Sequence, residues 1–121
     1  MDERKASRYP SHGRAQVALP DGRIIGGHTL DLSPGGVAVL LTDAIPSGFT
    51  YLVRFEVPIN GTIHVIVTKS RLVYGVFAGD KGFRAGFAFA EADAQRAAII
   101  SRLASKLLGT SAGAAHSAAL Q

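Results

Sequence analysis

Residues Arg14-Ala-Gln-Val-Ala-Leu19-Pro20-Asp21-Gly22-Arg23 decide the fold class. Successive side chains of a strand point to opposite faces, so Ala15, Val17 and Leu19 share one face while Arg14 and Gln16 take the other. Pro20-Asp21-Gly22 is a strong turn signal, and Arg23 to Leu32 continues as a second strand. Gly26-Gly27 interrupts that strand and predicts a bulge or bend, as small barrels need at their corners.

The same grammar runs downstream. Gly36-Val-Ala-Val-Leu-Leu41 reads as a third strand, followed by a loop holding Pro46 and Gly48. Thr50 to Val57 alternates again, with Val53, Phe55 and Val57 inward and Arg54 and Glu56 outward. Pro58-Ile-Asn-Gly61 turns the chain into Thr62 to Phe77, the longest strand. Its apolar parity slips between Val67 and Leu72, which predicts a second bulge. After Gly79-Asp-Lys-Gly82, residues Phe83, Ala85, Phe87 and Phe89 line one face of a last strand. Glu91 to Leu108 then carries Ile99, Leu103 and Leu107 at helical spacing with Ile100 beside them. Asp93 is the expected N-cap and Gly109 the expected stop. About six strands with tight turns and no intervening helix predict a mainly β protein, a six-stranded antiparallel β-barrel with a C-terminal α-helix. Residues 1–13 read as a flexible N-terminal segment, 14–108 as barrel plus helix, and 109–121 as a disordered tail.

At 121 residues and 47% hydrophobic, the chain can bury one core without a metal or a disulfide. The absence of Cys removes disulfides, iron–sulfur clusters, thiolate zinc sites and a Cys nucleophile. No apolar run has signal-peptide character or the length of a bilayer span, so a cytoplasmic protein is expected. The net charge is +4, and Arg4, Lys5, Arg8 and Arg14 cluster with no acidic residue among them. Such a cluster attracts anions. His12, His28, His64 and His116 show no metal-ligand spacing, Ser33 lies in no nucleophile elbow, and Glu91 and Asp93 belong to a helix start. No catalytic constellation stands out, and the protein is not expected to be an enzyme.

Two motifs carry the functional reading. Arg4 and Arg8 form Arg-x-x-x-Arg, and Asp31, Ser33 and Gly36 form Asp-x-Ser-x-x-Gly. Guanidinium forks match phosphate oxygens and the O6/N7 edge of guanine. An Asp oxygen can accept from guanine N1–H and N2–H₂, a Ser hydroxyl can reach a phosphate or ribose, and Gly gives room for close approach. Singly, each has an ordinary structural explanation. With nine arginines present, one Arg-x-x-x-Arg arises by chance in about half of such chains. Asp31 to Gly36 reads equally as a turn, with Pro34 fixing φ and Gly35-Gly36 permitting positive φ.

In this order, at this distance and inside this strand pattern, the pair resembles the PilZ domain, a bacterial receptor for cyclic di-GMP. The resemblance covers about residues 3 to 108, and Phe83-Arg-Ala-Gly-Phe-Ala-Phe89 is similar to the family's last barrel strand. It implies a PilZ-type barrel and a second-messenger signalling protein with cyclic di-GMP as ligand and no cofactor or metal. The implied ligand residues are Arg4, Arg8, Asp31, Ser33 and Gly36, with Lys5 and Gly35 as further contacts. Many members open the first motif with two adjacent arginines. Here Glu3 precedes Arg4 and Lys5 follows it, a point donor without the fork. The resemblance further implies a stand-alone adaptor, monomer or weak homodimer. Closing of the arginine segment on the ligand would regulate an effector protein in motility, biofilm or polysaccharide output. Two alternatives remain: a PilZ-like protein-interaction scaffold that binds no nucleotide, and an OB-like nucleic-acid-binding barrel. The last is disfavoured, because the chain has no Trp and most Phe positions fall on inward parity.

Overall fold

The computed structural model describes residues 7–116. Seven strands precede one helix: β1 (Tyr9–Pro10), β2 (Arg14–Ala18), β3 (Ile24–Ser33), β4 (Gly36–Leu41), β5 (Thr50–Ile59), β6 (Thr62–Phe77), β7 (Phe83–Phe89) and α1 (Ala94–His116). All pairings are antiparallel. The order β3-β2-β5-β6-β7-β4 returns to β3, because β4 pairs with β3 from Gly27–Leu41 to Ser33–Gly36. Six strands thus close into the expected barrel and satisfy one another's backbone groups around the ring. The short β1 adds at the far end of β3, Tyr9 opposite Leu32 and Pro10 opposite Asp31.

The inward rows are the ones alternation selects. Val17, Val53, Phe55 and Val57 are fully buried, while Arg54 and Glu56 stay on the outside. Gly22 (φ 95°) closes the first hairpin, donating its N–H to the Leu19 carbonyl at 2.9 Å. In the β5–β6 hairpin the turn is tighter than the sequence suggests. Ile59 still pairs with Thr62, and Asn60 (φ 51°) and Gly61 (φ 81°) form a two-residue loop, leaving Pro58 inside the strand.

Both bulges lie elsewhere than expected. Gly26-Gly27 pairs regularly with β2, and Gly27 is needed because a Cβ there would overlap the Leu40 carbonyl of β4. The register shifts instead between Thr29 and Asp31. Along β6, parity does not slip before Leu72: Ile66, Thr68 and Ser70 all face in, and the shift comes between Leu72 and Tyr74. The misleading signal has a physical origin. Two inward positions are polar, while Val65 and Val67, 46% and 51% exposed, are apolar on the outside.

The helix follows the stripe only in part. Asp93 Oδ1 accepts from the N–H groups of Gln95 and Arg96 at 2.9 and 3.0 Å, so the predicted cap is present and the helix begins at Ala94, not Glu91. Ile100 and Leu103 enter the core, whereas Leu107 is 37% exposed. Arg96 is buried beside them, donating to Thr68 Oγ1 (3.3 Å) and the Glu91 carbonyl (2.6 Å). Its guanidinium lies 4.2 Å from the centroid of Phe89, whose ring stacks on Phe55. Gly109 does not end the helix, which continues to His116. A helical Gly costs only about 1 kcal/mol relative to Ala, and no proline follows to stop propagation through the Ala-rich sequence. No helix among the described residues is long and apolar enough to cross a membrane.

The inside–outside assignment is testable by truncation. Phe55→Ala should lower unfolding free energy by about 3–5 kcal/mol, and Val65→Ala by less than about 0.5 kcal/mol. Urea unfolding of both variants measures this, and comparable losses would refute the assigned parity.

Candidate functional site

The second motif occupies the β3–β4 turn. Asp31 and Ser33 end β3, Pro34 and Gly35 make the turn, and Gly36 opens β4 directly opposite Ser33. Ile25, Gly27 and Thr29 belong to inward rows, and unbroken alternation would turn Asp31 and Ser33 inward as well. The extra residue at Leu30 inverts the parity, so that Leu32 is fully buried and Asp31 and Ser33 face outward. The bulge in β6 does the same for Tyr74. Leu72 packs on the core opposite Phe87, while Tyr74 lies opposite Gly86 on the outer surface.

A row across four strands results: Asp31, Ala38, Gly86 and Tyr74. Gly86 has no side chain, and the Tyr74 ring lies where a Cβ at Gly86 would be. Beside this row opens a cleft of about 170 Å³, lined by Arg8, Ser33, Gly35, Val73 and Tyr74 among others. Arg84 Nε donates to the Tyr74 hydroxyl at 3.5 Å. That bond, with a lesser contribution from the Asp31 charge, raises the Arg84 pKa above its ordinary value.

The two glycines play different parts. A Cβ on Gly36 would overlap the Phe87 carbonyl of β7, so this glycine serves strand packing. A Cβ on Gly35 would meet nothing within 4 Å, leaving its backbone open to the cleft. Neither glycine has the positive φ that a turn reading allows. Ser33 Oγ donates to the Gly36 carbonyl at 3.4 Å, a long bond that a ligand oxygen could replace.

Arg8 of the first motif reaches the same place through a backbone strap. Thr29, fully buried, donates its hydroxyl to the Ser11 carbonyl at 2.7 Å and accepts from Gly13 N–H at 2.8 Å. Thr29 N–H donates to the Gly13 carbonyl, and Ser11 N–H to that of Leu30. The sequence reading extends the flexible segment to residue 13, but Tyr9 to Gly13 is pinned to β3. Arg8 therefore stands over the motif, its Nη1 2.9 Å from Asp31 Oδ1, with side chains 49% and 18% exposed. Arg8, Asp31, Ser33, Gly35 and Gly36 are brought together; Arg4 and Lys5 lie outside the described residues. Tyr74, Val73 and Arg84 were missed by sequence reasoning. The displaced parity of β6 was the only trace they left.

Comparison with known proteins follows this geometry. A model of the PilZ domain matches residues 2–106. No curated protein sequence gives a significant match. Among solved structures, the inhibitor of motility from Bacillus subtilis (MotI/DgrA) superposes with a TM-score of 0.70 at 19% identity, over 84% of this chain and 50% of that one. YcgR from Escherichia coli in complex with cyclic di-GMP gives 0.71 at 19% identity, over 90% and 47%. The isolated PilZ domain of YcgR with cyclic di-GMP gives 0.62 at 21% identity, over 90% and 94%. The chain spans about half the length of the first two proteins and nearly all of the isolated domain. The likeness to these structures is one of fold; the family model covers both motifs and most of the sequence, and by it this chain belongs to the PilZ domain family.

Proposed function

We propose that the cleft beside Asp31 is a binding site for cyclic di-GMP and that the chain is a receptor that signals to an effector protein, not a catalyst. The observation that supports this reading is the 2.9 Å approach of Arg8, from the first motif, to Asp31 of the second. A guanidinium, a carboxylate, a weakly bonded hydroxyl and an open glycine backbone match the phosphates, the guanine edge and the ribose of a cyclic dinucleotide. The solved relatives that hold cyclic di-GMP share the fold.

Each group takes a role. Arg8, with Arg4 from the same motif, contacts phosphate or the guanine O6/N7 edge, and Lys5 adds a point charge. Asp31 accepts from guanine N1–H and N2–H₂. Ser33 exchanges its long bond to Gly36 for a ligand oxygen, and the Gly35 backbone lies against the ligand. Tyr74 offers a ring face for base stacking, held by Arg84. The ligand must compete with the Arg8–Asp31 pair, so binding re-aims Arg8 from carboxylate to ligand and changes the surface an effector meets.

Calorimetric titration with cyclic di-GMP should give saturable binding that Arg8→Ala weakens by about tenfold or more, with GTP and cyclic di-AMP inactive. A folded wild-type protein that binds none of them would leave the nucleotide-free scaffold reading in its place. Tyr74→Ala should weaken binding by about 5–150-fold and Tyr74→Phe should retain it, since stacking needs the ring and not the hydroxyl. Stability should respond unequally to the two motifs. Arg8→Ala, removing a half-exposed ion pair, should change unfolding free energy by less than about 1 kcal/mol. Gly36→Ala should lower it by about 1–3 kcal/mol, because β4 and β7 must separate. Thermal unfolding of both variants without ligand checks this.

A further inference from the structure

The outer face of the β5–β6 hairpin carries an apolar patch that the ligand cleft does not use. Leu52, Ile63, Val65 and Val67 are 46–52% exposed. Scattered exposed apolar residues are ordinary, but these are neighbours by register: Leu52 faces Lys69, Arg54 faces Val67, Glu56 faces Val65 and Pro58 faces Ile63. The charges around them are lopsided. Arg14, Arg54, Lys69 and Arg71 border the patch, against two carboxylates: Glu56, 3.6 Å from both Arg14 and Arg54, and Asp93, which shares a cleft with Val65 and Val67 at the helix start. The face therefore presents apolar contact area inside a frame with more cations than carboxylates, Lys69 and Arg71 lying at the end away from Asp93.

We infer that the outer face of β5–β6 is the effector-docking surface, and that its occupant is an acidic amphipathic helix of a partner protein. Carboxylates at the edges of such a helix meet Arg54, Lys69 and Arg71, while its apolar stripe covers Leu52, Val65 and Val67. From Ile63 to Arg71 the strand spans about 26 Å, the length of about 18 helical residues. A second copy of this chain fits poorly, since net charge +4 sets like against like. A lipid surface fits poorly as well, because the patch consists of short aliphatic side chains with no aromatic anchor. The same strand continues through the bulge at Val73 to Tyr74 in the cleft, so β6 physically joins the two sites. The word effector rests on the receptor reading; the chemistry of the surface does not.

The test is a titration of the ¹⁵N-labelled full chain, followed by amide NMR, with a synthetic 18-residue amphipathic peptide bearing a Leu stripe flanked by Glu. A scrambled peptide of the same composition is the control. Shifts should concentrate at Leu52, Arg54, Val65, Val67 and Lys69, and salt should weaken binding. Val67→Glu and Lys69→Glu should each weaken it by about tenfold, with unchanged melting temperature. No shifts up to millimolar peptide, or equal shifts with the scrambled control, would overturn the proposal. So would phosphatidylserine vesicles binding the wild type but not Val67→Glu, or self-association abolished by that substitution. Parallel titration with cyclic di-GMP separates the two readings. Peptide binding without nucleotide binding sinks the receptor alone, and nucleotide binding without peptide binding sinks the docking surface alone.

Discussion

Strand alternation has a period of two, so a single unbroken strand cannot supply both a core row and a binding row from positions of the same parity. β3 has to do so: Ile25 and Thr29 are needed inside, and Asp31 and Ser33 are needed outside. One additional residue at Leu30 resolves the conflict, and everything at the cleft depends on it. The bulge at Val73 performs the same inversion for Tyr74. With both present, the cleft is built on paired strands whose inner faces are locked in the core. Ala38 and Gly86 between them keep the shelf low.

Arg8 is held over this shelf by Thr29 more than by its own charge. A half-exposed ion pair contributes about 0–1 kcal/mol, whereas a hydroxyl buried among backbone groups is expensive to leave unpaired. Thr29 satisfies itself by tying Ser11 and Gly13 to β3, and that fixes the chain just beyond Arg8. A similar arrangement closes the other end. Arg96, buried under the helix start, finds Thr68, the Glu91 carbonyl and the face of Phe89. The polar inward residue Thr68, which confuses the parity of β6, is there to receive it. Thr29 and Arg96 thus work as fasteners between the ring of strands and the segments laid against it.

Most of the architecture was legible because burial and alternation coincide in β2 and β5, and because nearly every inward position of β2, β4, β5 and β7 is apolar. The reading failed where inward and apolar part company. In β6, Thr68 and Ser70 point in while Val65 and Val67 point out, so the inferred bulge fell upstream of its true place. In β3, two adjacent glycines drew the bulge to themselves, although Gly27 answers a close approach of β4 and the parity inversion falls on an ordinary leucine. The helix end failed for a different reason: glycine marks a stop only when the chain leaves the helix there, and its intrinsic cost is too small to force that. Within the proposed site, Arg8, Asp31 and Ser33 stood out in the sequence because their chemistry is unusual at that spacing. Tyr74 and Arg84 did not, since they come from strands distant in sequence and meet Asp31 only through the register of four strands.

The strap also constrains how a ligand could act. Since Tyr9 to Gly13 is already paired with β3, binding cannot work by zipping that stretch onto the barrel. Among the described residues, its conformational effect would fall on Arg8 and on side chains around the cleft. A ligand shifts an equilibrium only by its differential affinity for the two states. Here the competing state is a weak, partly solvated pair between Arg8 and Asp31, so little of the ligand's interaction free energy is consumed in displacing it. A cleft of this kind favours tight capture over large rearrangement, and the signal it can send is the redistribution of charge at its rim.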